Sequence, residues 1–374
     1  MLVAIVREML DGEARVAMVP ELVSNLTDLG YDVSVEPGAG VAAQFTDEKY
    51  AEAGALVDEK ATEYADVVLS VQPLTTPQLR ALRTGSASIS FFPTLQSLPG
   101  VAERRDLELT SFAVELIPRI SRAQSMDALS SQALVAGYRC AIVAAGRLRR
   151  FFPLNMTAAG TVPPAEVVVL GAGVAGLQAI ATSKRLGAVV RAYDVRAAAA
   201  EEIRSVGAVA IDLELDTLEG SGGYARVMTE DRAELQRERL TPYIAAADAL
   251  ITTAAVPGRA APKLVTTAMV EQMKPGSVVV DLAAESGGNV EGSVPGSVVQ
   301  VGNAQIWGAQ NVPSQMPGPA SKLYAQNLVN LLTLMTGEDG FAPDFEDEIV
   351  AGCCVTHAGQ VMHEPTREAL EAQP

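Results

Sequence analysis

The chain has 374 residues, enough for two domains that each bury a core of their own. Its 48% apolar and 20% charged residues exclude a disordered polypeptide and fit an α/β protein. A net charge of −17 argues against a nucleic-acid-binding surface and against adsorption to anionic lipid, and its plain meaning is solubility.

From the N-terminus, Met1-Leu-Val-Ala-Ile-Val is followed at once by Arg7-Glu8, so no basic segment leads into an apolar one as in a secretory signal. Residues 2–6, 32–36, 67–71 and 88–92 read as short strands, with helical patterns at 21–29, 47–53 and 76–82 between them. This is the βαβ rhythm of a parallel sheet. The polar stretch 118–127 leads into a long helical pattern at 128–149, expected to cross between domains. Residues 151–164, with Phe-Phe-Pro and Val-Pro-Pro, read as a loop.

The next strand-like run, Val167-Val-Val-Leu170, enters Gly171-x-Gly173-x-x-Gly176, and an Ala/Leu-rich helical pattern follows. A second strand-like run, 189–194, ends at Asp194. In a dinucleotide fold the first glycine makes the turn, the second lets the backbone approach a pyrophosphate, and the third lets helix pack on strand. The helix N-terminus faces the phosphates, and an acid about 20 residues on binds the ribose hydroxyls. Alone, such a glycine pattern often marks only a tight turn; with strand, helix, second strand and Asp194 in order, it predicts NAD binding.

Further strands are expected at 208–211, 249–253, 277–282, 298–301 and 304–307. The acidic stretch 215–231, with Gly220-Ser-Gly-Gly-Tyr224, interrupts them and is expected to be a mobile excursion. A second long helix is expected at 320–335, returning to the first domain. The expected fold is therefore α/β, two domains each with a mainly parallel sheet, the second a Rossmann fold, joined by two long helices. The boundaries are 1–131 plus 312–374 and 132–311, and the cleft between the domains is the expected site.

Cys140, Cys353 and Cys354 form neither a CxxC pair nor a disulfide framework, so a reducing, cytosolic location is expected. No apolar stretch forms a convincing membrane span; the nearest, 167–183, already reads as strand-turn-helix. Dehydrogenases of hydroxy or amino acids move a proton as well as a hydride, commonly through His or Lys. The only histidines, His357 and His363, lie in the tail and read as surface or packing residues. Metal and acyl chemistry lack a motif. The polar cluster is instead Arg119, Arg122, Gln124, Ser125, Asp127, Ser130, Ser131 and Gln132. Its bland meaning is helix capping, which needs only one such residue. Its functional meaning is an anchor for a carboxamide and a ribose, suited to a reaction that moves hydride alone.

These residues carry a resemblance. Pro118-Arg-Ile-Ser-Arg-Ala-Gln-Ser-Met-Asp-Ala-Leu-Ser-Ser-Gln132, Ala136-Gly-Tyr138, Asp194-Val-Arg196, Gly222-Gly-Tyr-Ala225, Ile251-Thr-Thr-Ala254 and Gly287-Gly-Asn289 are among the matching pieces. The chain resembles, over nearly its whole length, the soluble NAD(H)-binding alpha subunits of proton-translocating NAD(P) transhydrogenases, relatives of alanine dehydrogenase. The resemblance implies an enzyme that passes hydride directly between NADH and NADP⁺ held on a partner subunit, coupled to proton movement through membrane subunits. It implies site residues Arg119, Gln124, Asp127 and Ser130 at the nicotinamide and Tyr224 on a mobile loop. Dinucleotide contacts carry over to Val174, Asp194, Val195, Arg196, Gly223, Gln236 and Ala255, beside Gly171, Gly173 and Gly176 of the turn. Asp194 would repel a 2′-phosphate, which favours NAD(H) over NADP(H); Arg196 either offsets that repulsion or lies along the adenine.

The implied partners are an NADP-binding beta subunit, a small membrane alpha subunit and a second copy in a homodimer. They would hold a cytoplasmic chain at the inner face of the membrane without insertion of its own. Departures separate it from alanine dehydrogenases. Arg15 matches their substrate-carboxylate arginine, but their lysine should fall near Leu69-Ser-Val-Gln-Pro73 and their histidine near 91–96, and neither is there. Arg15 is then expected to be structural, and Ser70 and Gln315 stand where some transhydrogenases carry lysine and arginine. The alternatives are an alanine-dehydrogenase-like oxidoreductase and a non-catalytic NAD-sensing module.

Overall fold

A computed structural model describes residues 1–215, 229–255 and 260–372. They form two compact units, Met1–Gln132 with Pro313–Pro374, and Ala133–Val312. The first boundary falls inside one continuous helix, Ala128–Arg147, and the second at the start of the 3-10 helix Val312–Gln315.

The first unit is built on a sheet ordered Gln360–Val361, Cys354–His357, Thr110–Ala113, Ala87–Ser90, Val67–Leu69, Leu2–Ile5, Asp32–Val35, Leu56–Val57. From Thr110–Ala113 to Leu56–Val57 every neighbouring pair is parallel, and the two C-terminal strands add antiparallel. The central strands are buried on both faces, as in a parallel sheet covered by helices, so they lack the alternation of a half-exposed strand. Thr110–Ala113 and the two tail strands are absent from the expected elements. Thr-Ser-Phe-Ala is too polar to stand out as an apolar run, and the tail pairs with strands far away in sequence. The helix Pro317–Leu334 belongs wholly to this unit, burying Ala320, Tyr324, Leu328 and Leu331 at helical spacing.

The second unit carries a sheet ordered Val209–Ala210, Val189–Tyr193, Glu166–Leu170, Ala249–Thr252, Val278–Asp281, Ala304–Gly308, Val298–Val301. All neighbours are parallel except the last pair. Numbering the parallel strands in chain order gives 3-2-1-4-5-6, with Val298–Val301 added at the edge. This is the doubly wound order whose ligands lie beyond the strand ends at the reversal between strands 1 and 4. Residues 151–164, expected as a loop, contain the hairpin Asn155–Thr157 with Gly160–Val162.

Among the described residues the one helix long and apolar enough to cross a membrane is Ala128–Arg147, rather than the 167–183 run. Ala136, Cys140, Ala141 and Ala144 on that helix are buried in the core of the second unit, the behaviour of a core helix. Gly137 explains how close it comes: a Cβ there would lie 2.1 Å from the Ala175 carbonyl oxygen.

Candidate functional site

The glycine-rich turn of the second unit joins the buried strand Glu166–Leu170 to the helix Val174–Arg185. Its three glycines are glycines for three different reasons. Gly171 has φ +97°, where a side chain is strained, and a Cβ there would also lie 2.7 Å from Thr253 Oγ1. Gly176 is on the first helical turn, and its Cβ would lie 1.9 Å from the Gly171 carbonyl oxygen. Gly173, the N-cap, has φ −71° and ψ −169°, which any residue adopts, and a Cβ there would meet nothing within 4 Å. Among the described residues, nothing requires glycine at 173. The open space faces a helix N-terminus whose first N–H groups and positive dipole end suit an anion. Val174 beside it is 40% exposed although apolar. This is the fit expected for a pyrophosphate held against backbone.

Asp194 follows the strand Val189–Tyr193, and its carboxylate is pinned to the turn. Oδ2 accepts from Ala172 N at 2.7 Å, and Oδ1 accepts from Arg196 N and Nε, both at 3.0 Å. Arg196 Nη2 also donates to the Ala172 carbonyl at 3.1 Å, so Asp194 and Arg196 together grip both polar groups of Ala172. A depression next to Asp194 is walled by Val195, Arg196, Ala200, Arg204, Ile211 and Leu213. Gln236 is buried at 1% exposure and its Oε1 accepts from the Tyr193 hydroxyl at 3.1 Å, so it is seated behind the strand end. Ala255 is exposed beyond the strand Ala249–Thr252. Gly223 and Tyr224, with most of 215–231 and with 256–259, lie outside the described residues. Thr253, which had no assigned role, braces the turn by donating from Oγ1 to the Gly171 carbonyl at 3.1 Å.

In the first unit the polar stretch folds as a 3-10 helix, Ser121–Met126, running into Ala128–Arg147. Ala123 and Met126 are buried and anchor it, leaving Arg119 and Gln124 exposed. Asp127 makes the capping contacts: Oδ1 accepts from Ser130 N at 2.8 Å and Oδ2 from Ser130 Oγ at 2.6 Å. Four of the candidate residues thus lie on one helix junction, and capping is part of what Asp127 does. The junction is held from the helix Pro317–Leu334. Asn327 and Asn330 both donate to the Ser125 carbonyl, at 2.8 and 2.9 Å, and Ser131 Oγ donates to Asn327 Oδ1 at 2.6 Å. Asn330 carried no sequence signal, because its partner is 205 residues away along the chain. Arg122 points elsewhere, pairing with Asp347 at 2.6 Å.

Arg15 of the first unit is engaged. It is 5% exposed, pairs with Glu13 through Nε at 2.8 Å and Nη2 at 2.6 Å, and donates from Nη1 to Gln132 at 2.9 Å. Gln72 Nε2 donates to Glu13 at 2.8 Å, and Glu8 accepts from Val71 N and Gln72 N. Burial pushes the Glu13 carboxyl up, but the hydrogen bonds and charge of Arg15 outweigh it and hold the pKa at about 2. Burial pushes Glu8 up to about 7 against its two backbone N–H donors. Ser70 is buried and donates to the Gln72 carbonyl at 2.7 Å. Both histidines are engaged by threonines: His357 Nδ1 lies 3.0 Å from Thr110 Oγ1 of the first sheet, and His363 Nδ1 lies 2.7 Å from Thr366 Oγ1 within the tail. The three cysteines are free and buried, and burial raises the thiols, Cys140 and Cys354 to about 12.

Residues 4–136 match the family described as alanine dehydrogenase/PNT, N-terminal domain, and residues 140–364 match alanine dehydrogenase/PNT, C-terminal domain. The chain is 47% identical to the first part of the NAD(P) transhydrogenase alpha subunit of Rhodospirillum rubrum, over 97% of this chain and 98% of that one. It superposes on a transhydrogenase from Sinorhizobium meliloti with a TM-score of 0.86 and 43% identity, covering 98% of this chain and 100% of the other. An L-alanine dehydrogenase shares the fold, with a TM-score of 0.83 at 24% identity over 99% of both chains. On these matches, spanning both units, the chain belongs to the alanine dehydrogenase/PNT family.

Proposed function

We propose that the chain is the NAD(H)-binding subunit of a proton-translocating NAD(P) transhydrogenase. The observation that carries this reading is the unobstructed helix N-terminus at Gly173 beside a carboxylate, Asp194, already locked in place. In this role Gly171, Gly173, Val174 and Gly176 receive the pyrophosphate, and Asp194 takes the ribose hydroxyls. Val195, Arg196, Gln236, Ala255 and Gly223 complete the dinucleotide site. Asp194 also disfavours a 2′-phosphate, although Arg196 balances its charge in the free protein.

Bound NADH supplies a hydride from its nicotinamide ring, and NADP⁺ on an NADP-binding beta subunit accepts it. Arg119, Gln124, Asp127 and Ser130 orient the donor ring. Their contribution is positioning, because hydride transfer needs contact and alignment but no general acid or base. Ser130 and Asp127 enter this role already bonded to each other, so their geometry is set before any nucleotide arrives.

The chain would act as a homodimer at the cytoplasmic face of the membrane, held there by the beta subunit and a small membrane alpha subunit that carry the proton pathway. A role as an amino-acid oxidoreductase is disfavoured by Arg15, whose guanidinium is neutralised by Glu13 inside the unit. The test mixes the purified chain with an NADP-binding partner subunit and an acetylpyridine analogue of NAD⁺. NADPH-dependent reduction of the analogue is the expected result. NADH binding without such transfer would favour a sensing module, and NADH oxidation driven by pyruvate plus ammonia would favour the dehydrogenase.

A further inference from the structure

The dinucleotide site contains a polar residue with no assigned role whose bonding is complete. Asn289 is 0% exposed and lies beyond the strand Val278–Asp281. Its side-chain amide faces Ala254, just past the end of Ala249–Thr252. Oδ1 accepts from Ala254 N at 3.0 Å, and Nδ2 donates to the Ala254 carbonyl at 2.7 Å. The same Nδ2 donates to the Pro262 carbonyl at 2.9 Å. Where the parallel ladder between these strands stops, an amide side chain supplies the donor and acceptor that a neighbouring strand would have offered. A carboxamide offers both groups in one plane at any ordinary pH.

The orientation of that amide is held from behind. Asp281, also 0% exposed, accepts from Asn289 N at 3.2 Å and from Thr252 Oγ1 at 3.0 Å through Oδ1. The Asn289 carbonyl accepts from Leu264 N and Val265 N, at 2.9 and 3.0 Å. On its other side, the held peptide abuts the glycine turn: a Cβ on Gly171 would lie 3.0 Å from Ala254 N. Hydrogen bonds therefore run from Asp281 through Asn289 to Ala254, whose N–H lies where a side chain on Gly171 would meet it.

We infer that Asn289 is a positioning residue for nucleotide binding. It holds the Ala254 peptide as the back wall of the glycine turn and ties Ala254 to Pro262 on either side of 255–261. This rests on the assignment of the glycine turn to NAD(H). Because Asn289 acts on the cradle and has no role at the nicotinamide ring, its loss should weaken NADH binding and leave the hydride step intact.

The test uses Asn289→Ala, which removes all three bonds, and Asn289→Asp, which keeps the volume and the acceptor but removes both donations. NADH fluorescence titration at a temperature where both variants are folded should give a Kd about tenfold or more above wild type. Reconstituted transfer should show the same rise in the NADH KM with kcat within about twofold. Unchanged Kd in either variant, or a fall in kcat at unchanged KM, would overturn the inference. Amide exchange of the free wild-type chain applies even if a variant does not fold: slow exchange at Ala254 is expected, and exchange as fast as in an exposed loop refutes the clamp. A wild-type chain that binds no NADH would instead refute the nucleotide assignment.

Discussion

The three glycines of the turn should separate folding from nucleotide binding when each is changed to alanine. Gly173→Ala places a methyl group where no described residue lies within 4 Å, at a φ of −71° that alanine accepts. Its stability should stay the same or rise by ~0.4–1 kcal/mol, since alanine has less unfolded-chain entropy to lose. With nucleotide present the methyl meets the pyrophosphate, and ~1–3 kcal/mol of overpacking corresponds to about 5- to 150-fold weaker NADH binding. Gly176→Ala behaves in the opposite order. Its methyl would sit 1.9 Å from a backbone oxygen, so strand and helix must part before any ligand is considered. It should lose at least ~1–3 kcal/mol of stability. Gly171→Ala adds the strain of a positive φ to a contact with Thr253. Thermal melts read the stabilities and NADH fluorescence titration reads the affinities. A Gly173→Ala protein that binds NADH like wild type would refute the ligand explanation of Gly173. A Gly176→Ala protein as stable as wild type would refute the packing explanation of Gly176.

Asp127→Asn should keep the helix cap, since asparagine caps as well as aspartate, and so change stability by less than ~0.5 kcal/mol. Single-turnover hydride transfer to partner-held NADP⁺ should fall more than NADH affinity does; a normal transfer rate would remove Asp127 from the reaction. Arg15→Ala removes the cation paired with the buried Glu13 carboxylate and should cost ~3–5 kcal/mol, seen as a large drop in melting temperature. A melt within a degree or two of wild type would show that the pair is not structural. The Glu13 pKa of about 2 lies below its ordinary 4.5, so its contribution is full above about 4.5 and lost as pH falls toward 2. Over that window about 3 kcal/mol should disappear, and Glu13→Gln should flatten the pH dependence of unfolding there. An unchanged acid profile would contradict the pairing.

Local pattern was readable wherever it repeats on a short scale. The Val-rich strand, the glycine turn and Asp194 lie within one βαβ unit, where strand, turn and helix follow from neighbouring residues. The polar stretch 118–132 was visible because it carries more side-chain polarity than a helix cap requires. Bounds shifted by one to three residues, as at Leu2–Ile5 and Pro317–Leu334, since helix and strand ends are set by hydrogen bonds rather than composition.

By itself, then, the sequence determined the presence of a glycine-rich strand–turn–helix and the doubly wound architecture of the unit that carries it. Only the tertiary structure decided what each residue is held by. Arg15 is expected to be structural from the missing lysine and histidine, but only the fold shows that Glu13 and Gln132 are what hold it. Asn289 and Asn330 are ordinary asparagines until their partners, Ala254 and Ser125, are brought to them from 35 and 205 residues away. A hydrogen bond depends on distance and direction between two groups, and the chain order encodes neither until the fold closes.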